Sequence, residues 1–567
     1  MDTDTSNRLR RLTSHGYFPK ELPPAFTTID FGSNALEIFS AWKASGVIQT
    51  QNPKFKSSNS HTKVRTPEHY EYQIRSTTAE VFSLPKKLFE RRYLSLCHPV
   101  PQLTLNVEIA QHWKKICRYI GPTSYSLDRA TFTFEGSRAI APPQFEGNGI
   151  RRILIEAVAD WIKKTDISRF YPSIYTHSIP WAMYGKDQVK RNIVFYGRTV
   201  GGRLDQLVRK CNRDQTVGIP IGPDSSFIIA SIISTAIDKS LQQEGSSLTA
   251  ENAARLQDDW FVGCSTNGEA EDALSRLIKA YGEYGFDING SKTSVTYRSS
   301  IAQSDWVSQL RSFLLKPGER LAGNRLRQFL ALAERLQIEN PSAAVCSYAL
   351  TIVYYNGHKK EDTYLLESFM LKALVLFPLS SERIAVFLLN MKSFGQPISV
   401  SRVAARCREL LADAIRRQHH FEAIWLLYIL RGLGVTVQMR PLLASLDVMR
   451  QPALGLVMAD INARGHAIGW YTSEDFSQML STAEVESEPA WLLVYESIRN
   501  GWAADKKGLM NNPILRELNQ RNVVFYDRNR NVPEIGYYLA NRRSNSRVGQ
   551  RSMKDILNML RPEAFSH

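Results

Sequence analysis

The second half of the chain repeats one spacing. Apolar residues return every three or four positions, as at Phe421, Ile424, Trp425 and Tyr428, which places them on one face of a helix. This spacing predicts amphipathic helices over 324–336, 343–355, 364–376, 382–391, 400–417 and 421–433. Several open after Pro or Ser, as at Pro341-Ser342 and Ser380-Ser381, residues that favour helix starts. Helices in succession without a fixed consensus predict a HEAT-like α-repeat array or an irregular helical bundle. Before about residue 310 the pattern is mixed. An apolar-rich stretch at 159–162 predicts a short strand ending near Asp166, and a helix can start at Pro172-Ser173. The stretches 254–256 and 260–262 flank Asp258 and Asp259 as the arms of a tight hairpin whose turn carries both carboxylates. An apolar helix is predicted over 227–236, capped by Asp224, Ser225 and Ser226. A chain of 567 residues exceeds what one core usually organises. The expected division is 1–310, mixed α/β, and 311–567, all-α, with a flexible Ser/Asn/Lys-rich insertion at 51–60.

Charge narrows the class of partner. The sequence holds 71 Lys and Arg against 55 Asp and Glu, a formal net charge of +16, which favours a polyanion over an acidic or neutral surface. Binding to nucleic acid should then weaken steeply with salt. The end of the chain, with Arg528, Arg530, Arg542, Arg543, Arg547 and Arg551, is basic enough to track a phosphate backbone, although such tails are usually solvated. No apolar run reaches the length of a membrane span, and the first residues lack the basic-then-apolar form of a signal peptide. A cytoplasmic protein with no membrane partner is expected. Cys97, Cys117, Cys211, Cys264, Cys346 and Cys407 are scattered, giving neither a zinc spacing nor a disulfide framework.

Four short segments carry candidate chemistry: 166–171 (Asp-Ile-Ser-Arg-Phe-Tyr), 218–222 (Gly-Ile-Pro-Ile-Gly), 257–259 (Gln-Asp-Asp) and 289–293 (Asn-Gly-Ser-Lys-Thr). Each alone is weak, because an Asp pair is usually a solvated turn. Their order is that of a polymerase palm: an acidic strand end, a glycine loop opening a helix, an acidic hairpin, and a lysine downstream of a helix. Nucleotidyl transfer uses two divalent ions, one at the attacking hydroxyl and one at the triphosphate. Such hard ions take carboxylate oxygen. Asp166 and Asp258 would converge on two Mg²⁺, with Mn²⁺ as a substitute, and Asp259 and Ile167 complete the candidate metal set. Gly218 and Gly222 permit close backbone approach to a nucleotide.

The four segments resemble motifs A to D of reverse transcriptases. The wording of 166–181, of 16–24 (Gly-Tyr-Phe-Pro-Lys-Glu-Leu-Pro-Pro) and of 218–226 is similar to the bacterial abortive-infection (Abi-type, AbiK-like) group of defence reverse transcriptases. The resemblance covers roughly residues 10 to 310. It departs from the wider family at Leu256, where an aromatic is usual, and at Ile221, where many retroelement enzymes have Gln. It implies an α/β reverse-transcriptase-like fingers and palm followed by an all-α, HEAT-like C-terminal domain. Tyr171 matches the steric-gate position, which favours deoxynucleotides; its bland reading is a core aromatic. Lys292 matches the motif D lysine that stabilises or protonates leaving pyrophosphate. Arg91 and Arg92, with Arg138, Arg151 and Arg152, fall in the fingers; Arg91 and Arg92 are the candidates for gripping triphosphate, a task suited to the planar guanidinium. His177 is read as a structural hydrogen bonder.

The function expected from this resemblance is an antiphage DNA polymerase using deoxynucleoside triphosphates. The group implies synthesis without a template, primed by a protein hydroxyl, so that single-stranded DNA stays covalently attached. A homo-oligomer is implied in the same way. Templating by a non-coding RNA partner is the alternative within the class. A palm-type RNA polymerase is disfavoured by Tyr171. A helical-repeat nucleic-acid scaffold with a non-catalytic palm is the alternative outside it. The sequence contains no second acidic cluster of RNase H type and no integrase motif.

Overall fold

The computed structural model describes residues 2–51, 69–86, 90–121, 123–127, 129–143, 145–242, 247–298, 306–314 and 319–534. Most of the expected insertion at 51–60, and the basic tail from Arg542 onward, lie outside the described residues. Two small antiparallel pairs come first: β1 (Gln49–Gln51) with β2 (Glu71–Gln73), and β3 (Glu80–Pro85) with β4 (Arg91–Leu96). A four-stranded antiparallel sheet follows, built from β5 (Trp161–Thr165), β6 (Ala253–Leu256), β7 (Asp259–Cys264) and β8 (Ser294–Tyr297) in the order β6-β7-β5-β8.

Alternation of side chains gives this sheet two buried faces. Trp260 and Val262 point into the main core, toward helix Asn267–Gly282, while Ile162, Ala254 and Phe261 form a separate small core with Ile155 of helix Phe145–Val158 and Ala159 just after it. Gly263 lets that helix lie close, since a Cβ there would fall 2.6 Å from Ile155 Cγ2. Helix Asp224–Leu241 begins where the glycine loop ends, but its N-cap position is Pro223, with no side-chain cap. The expected capping by Asp224, Ser225 and Ser226 is therefore replaced. Asp224 accepts from Arg138 and from the backbone N–H groups of Ala139 (2.9 Å) and Ile140 (3.1 Å), and Ser225 Oγ accepts from Gln102 Nε2 at 3.0 Å.

The second half is helical, as the spacing predicts: Gly323–Glu339, Val345–Asn356, Thr363–Leu376, Ser381–Ser393, Val400–Arg416 and His420–Leu433, continued by Pro452–Ala463, Ser473–Leu480, Trp491–Arg499 and Pro513–Gln520. The first six of these helices pack in consecutive pairs, and Val345–Asn356, Ser381–Ser393, His420–Leu433, Pro452–Ala463 and Trp491–Arg499 stack on one another in order. A two-residue parallel pair, β9 (Val437–Gln438) with β10 (Ala467–Ile468), was not foreseen. It is too short to show an alternating pattern. No helix among the described residues is long and apolar enough to cross a membrane.

The buried core crosses residue 310 without a break. The segment after the first helix, Thr3–His15, runs along the helical array: Trp425 Nε1 donates to Glu21 O (3.0 Å), Thr27 N to Phe525 O (2.9 Å) and Asp527 N to Ala25 O (2.7 Å). Phe26 meets Tyr526 edge to face with ring centres 5.1 Å apart.

Candidate active site

Strand register assembles the acidic residues. The β5–β7 pairing runs from Trp161↔Cys264 to Thr165↔Trp260, so its next position sets Asp166 opposite Asp259. The β5–β8 pairing ends at Lys164↔Ser294, and a short 3₁₀ turn just before β8, Gly290–Lys292, brings the Lys292 ammonium onto the Asp166 carboxylate. Asp166 therefore stands between a carboxylate and an ammonium. The strand end is pinned by Asn289 N donating to Asp166 O (2.7 Å) and Ser168 N donating to Asp287 O (2.8 Å), which flank the Ile167↔Ile288 bridge. That pattern spends neither the N–H nor the C=O of Ile167, whose side chain is buried. Thr165 Oγ1 and Thr293 Oγ1 lie 2.7 Å apart and fasten the lysine segment beside β5.

The hairpin between β6 and β7 has a two-residue turn, Gln257 and Asp258, because Leu256 pairs with Asp259. Only Asp258 sits in the turn; Asp259 begins β7. Gln257 adopts φ +55°, a left-handed conformation that such turns demand and that non-glycine residues rarely take. Arg255 supports it from below, donating to Gln257 O at 2.5 Å while both carboxylate oxygens of buried Asp238 receive its Nε (2.8 Å) and Nη2 (2.6 Å).

The acidic side chains are held against their own repulsion. Burial, then the charges of Asp259 and Asp166, push the Asp258 carboxyl up to about 7; proximity of like charges and desolvation both favour the protonated form. Asp259, which is solvent-facing, is also raised, by the protein around it and by Asp166, with Lys292, Arg152 and Lys86 opposing. Asp166 is buried, and Lys292 forms an ion pair with its Oδ2. Among the described residues, Oδ1 has no amide, ammonium or hydroxyl donor, and the only proton within reach of this carboxylate besides those of Lys292 is one carried by Asp258, whose protonated form hydrogen-bonds to Asp166. Burial would lower the Lys292 pKa, but the Asp166 hydrogen bond and the three nearby carboxylates outweigh it and raise it. Lys292 stays cationic.

Whether these residues fit divalent ions can be tested on the donors. Among the described residues no three His, Cys, Asp or Glu side chains close into a compact metal-binding group. Like charges repel, and an ammonium rather than a third carboxylate closes on Asp166. The donor set is nevertheless all oxygen, as hard cations require, and a buried carboxylate oxygen without a donor is costly unless a cation or proton satisfies it. The donor chemistry fits a hard cation.

Tyr171 lies beside this cluster. Its hydroxyl is raised by burial and by the Asp258 charge, with Arg92 opposing. With Gln257, Arg255, Phe227 and several serines it lines a cavity of about 30 Å³. The glycine loop packs against the short helix Phe170–Ser173 that carries Tyr171: Gly218 N donates to Ile174 O (2.9 Å), and Ile219 N to Tyr171 O (3.2 Å). Gly218 has φ +87° and Gly222 φ +125°. A Cβ on Gly222 would fall 2.8 Å from Pro19 Cγ, so its close neighbour is the 16–24 segment. Asp224 N also donates to Gly16 O at 2.8 Å.

The five candidate arginines separate into two groups. Arg91 is engaged elsewhere: its Nη1 and Nη2 fork Glu422 at 2.8 and 2.7 Å. Arg138 is spent on Asp224, Phe18 O and Gly222 O, and Arg151 on the carbonyls of Ser124 and Ala250. Arg92 acts on Tyr171, and Arg152 acts on Asp259 from above the Phe261 ring, 5.4 Å from its centre. Lys86 joins them electrostatically, and nothing in its sequence context marked it. His177 Nδ1 lies 2.7 Å from Asp205 Oδ2, the structural hydrogen bond expected of it.

No protein-family model matches the sequence, and no curated protein matches it. Among solved structures the chain is similar to telomerase from Candida albicans in complex with the TWJ fragment of telomeric RNA (12% identity, 65% of this chain and 67% of that one, TM-score 0.26). Telomerase from Candida tropicalis, with the same RNA fragment (12%, 75% and 68%, 0.26) and in its apo form (11%, 79% and 76%, 0.26), is similar to the same degree. Likeness at that level carries no functional argument, so the chemistry rests on Asp166, Asp258, Asp259 and Lys292 themselves.

Proposed function

We propose that the chain is a nucleotidyltransferase of the reverse-transcriptase class that joins deoxynucleotides, with residues 1–310 supplying the chemistry and the helical half bracing them. The observation that carries this reading is the convergence of Asp166, Asp258 and Asp259 on adjacent strand ends, with Asp166 Oδ1 buried without an amide, ammonium or hydroxyl donor and the Lys292 ammonium on Oδ2. Asp166, Asp258, Asp259 and the Ile167 carbonyl would hold two Mg²⁺ or Mn²⁺ ions. Bound there, such ions activate an attacking hydroxyl and stabilise a triphosphate and its leaving oxygen.

The protein's own groups supply the rest. Lys292, kept protonated, gives the departing pyrophosphate a fixed positive charge; with its pKa raised it is a poor proton donor near neutrality. Arg152 and Lys86 near Asp259, and Arg92 near Tyr171, supply positive charge for a triphosphate. Tyr171, wedged between the hairpin turn and the glycine loop, is the proposed gate against a ribose 2′-hydroxyl. The resemblance to the abortive-infection group extends the proposal to antiphage defence in a bacterial cytoplasm. It also extends it to synthesis primed by a protein hydroxyl without a template, in a homo-oligomer.

The test is to incubate nuclease-treated protein with labelled deoxynucleotides and Mg²⁺, without template or primer, beside the Asp258→Asn/Asp259→Asn variant. The products are then run on a denaturing gel before and after protease. Label that requires the aspartates and shifts with protease is the expected result. Label that appears only when cellular RNA is added favours an RNA-templated enzyme. No label under either condition contradicts the polymerase reading and favours the scaffold.

A further inference from the structure

The β3–β4 hairpin is gripped on one side by the helical array and touches the candidate nucleotide site on the other. Arg91 forks Glu422, and the pair is largely withdrawn from water, with Glu422 8% exposed. Around it, Ser83 N donates to His420 Nδ1 (3.1 Å), His420 N donates to Ser83 Oγ (3.1 Å), and Ser83 Oγ donates to Gln418 O (2.5 Å). Glu80, at the start of β3, accepts from Ala453 N at 3.2 Å. Both strands are thus tied to the helical half, at the 418–422 corner and at the start of helix Pro452–Ala463.

The other contacts of β4 go inward. Alternation puts Arg92 on the face shared with buried Leu94 and Leu96, opposite to Arg91 and exposed Tyr93. From there, against the burial that raises the Tyr171 hydroxyl pKa, the Arg92 charge is near enough to lower it. Ser95 N donates to Ile221 O at 2.8 Å, joining β4 to the glycine loop. Within five residues one strand links Glu422, Arg92 and the loop that carries Gly218 and Gly222. A buried, bidentate ion pair holds orientation more tightly than a surface one, and its loss leaves an uncompensated charge.

We infer that Glu422 is a positioning residue for nucleotide binding: through Arg91 it sets β4, and so places Arg92 and the Ile221 loop against the incoming triphosphate. This rests on the polymerase reading for its substrate. The mechanical part, that Glu422 orders β4 and the 218–222 loop, stands on the contacts alone.

The full-length protein and its variants Glu422→Gln, Arg92→Ala, their combination, and the charge swap Arg91→Glu/Glu422→Arg are compared in labelled-deoxynucleotide incorporation. Glu422→Gln should raise KM for deoxynucleotide about tenfold while kcat stays within about twofold, the pattern of lost ground-state binding. Arg92→Ala should raise KM further, and the combined variant should fall clearly short of the product of the two effects, since Arg92 is one of the two elements that Glu422 places. The charge swap should recover most of the wild-type KM. Hydrogen exchange of peptides spanning 91–96 and 218–222, measured without nucleotide, should quicken at least about fivefold in Glu422→Gln and return in the swap. An effect on kcat alone, additive effects of the two substitutions, or unchanged exchange at both peptides would overturn the inference. If the wild-type protein incorporates nothing, the polymerase reading fails, and the exchange data still decide whether Glu422 orders the loop.

Discussion

Two kinds of carboxylate meet the β6–β7 hairpin, Asp238 reaching it from helix Asp224–Leu241 through Arg255 and Asp166, Asp258 and Asp259 gathering at its turn, and the fold treats them oppositely. Asp238 is fully buried yet takes Arg255 through both oxygens and Thr123 Oγ1 at 2.6 Å. Asp166, Asp258 and Asp259 have one lysine among them, one buried oxygen without an amide, ammonium or hydroxyl donor, and two carboxyls raised by their surroundings. Asp460, in the helical array, follows the first pattern, with Arg431, Arg464 and Tyr526 as partners. Satisfied carboxylates hold elements together. Crowded, under-satisfied ones raise the free energy of the folded chain and persist where a cation is to be bound.

The contrast is broken most sharply by substitution. Asp258→Asn/Asp259→Asn should lower nucleotide incorporation by more than about a thousandfold while the urea midpoint holds or rises, because like-charge repulsion is relieved. Asp238→Asn should do the reverse. Leaving Arg255 without its carboxylate should cost about 3–5 kcal/mol by urea unfolding. If Asp238→Asn is as stable as the wild type, the assignment of structural and chemical roles fails.

The next effect concerns selectivity. Tyr171→Ala should raise the use of ribonucleotides relative to deoxynucleotides by about tenfold to a hundredfold, read from competing incorporation. An unchanged ratio would make the ring a packing residue only.

Smaller and more diffuse is the pH dependence. Asp258, raised to about 7, and Glu80, raised by burial to about 8, bind protons more tightly folded than unfolded. Their contribution to stability is then greatest near and below the ordinary carboxylate range and is lost as pH rises through 7 and 8. His98, His358 and His420, lowered to about 4 by burial, act in the opposite sense below about pH 6.5. Thermal melts in chelator from pH 4 to 9, compared between wild type and variants, should show the wild type losing stability relative to Asp258→Asn and to Glu80→Gln as pH rises.

The sequence displayed the parts of this site better than their arrangement. Helices from 324 to 433 were legible because one face of each is apolar, and β5, β6 and β7 because short apolar runs end at acidic residues. Lys292 was legible by its place after a helix, and the 3₁₀ turn Gly290–Lys292 beside β8 brings it onto Asp166. The arginines were not. Arg91 and Arg92 are neighbours of one type, yet the pleat sends the first to Glu422, 331 residues away, and the second toward Tyr171. Nothing local distinguishes them. The capping expected of Asp224 failed for the same reason, because its partner Arg138 lies 86 residues away.

The most direct measurement of the central claim is Mn²⁺ binding by electron paramagnetic resonance, on full-length protein with a non-hydrolysable deoxynucleotide analogue, comparing wild type with Asp166→Asn. Two bound ions per chain in the wild type, both weakened in the variant, are the predicted result. Equal binding in the two proteins, or none in either, would contradict a metal-dependent polymerase site at Asp166, Asp258 and Asp259.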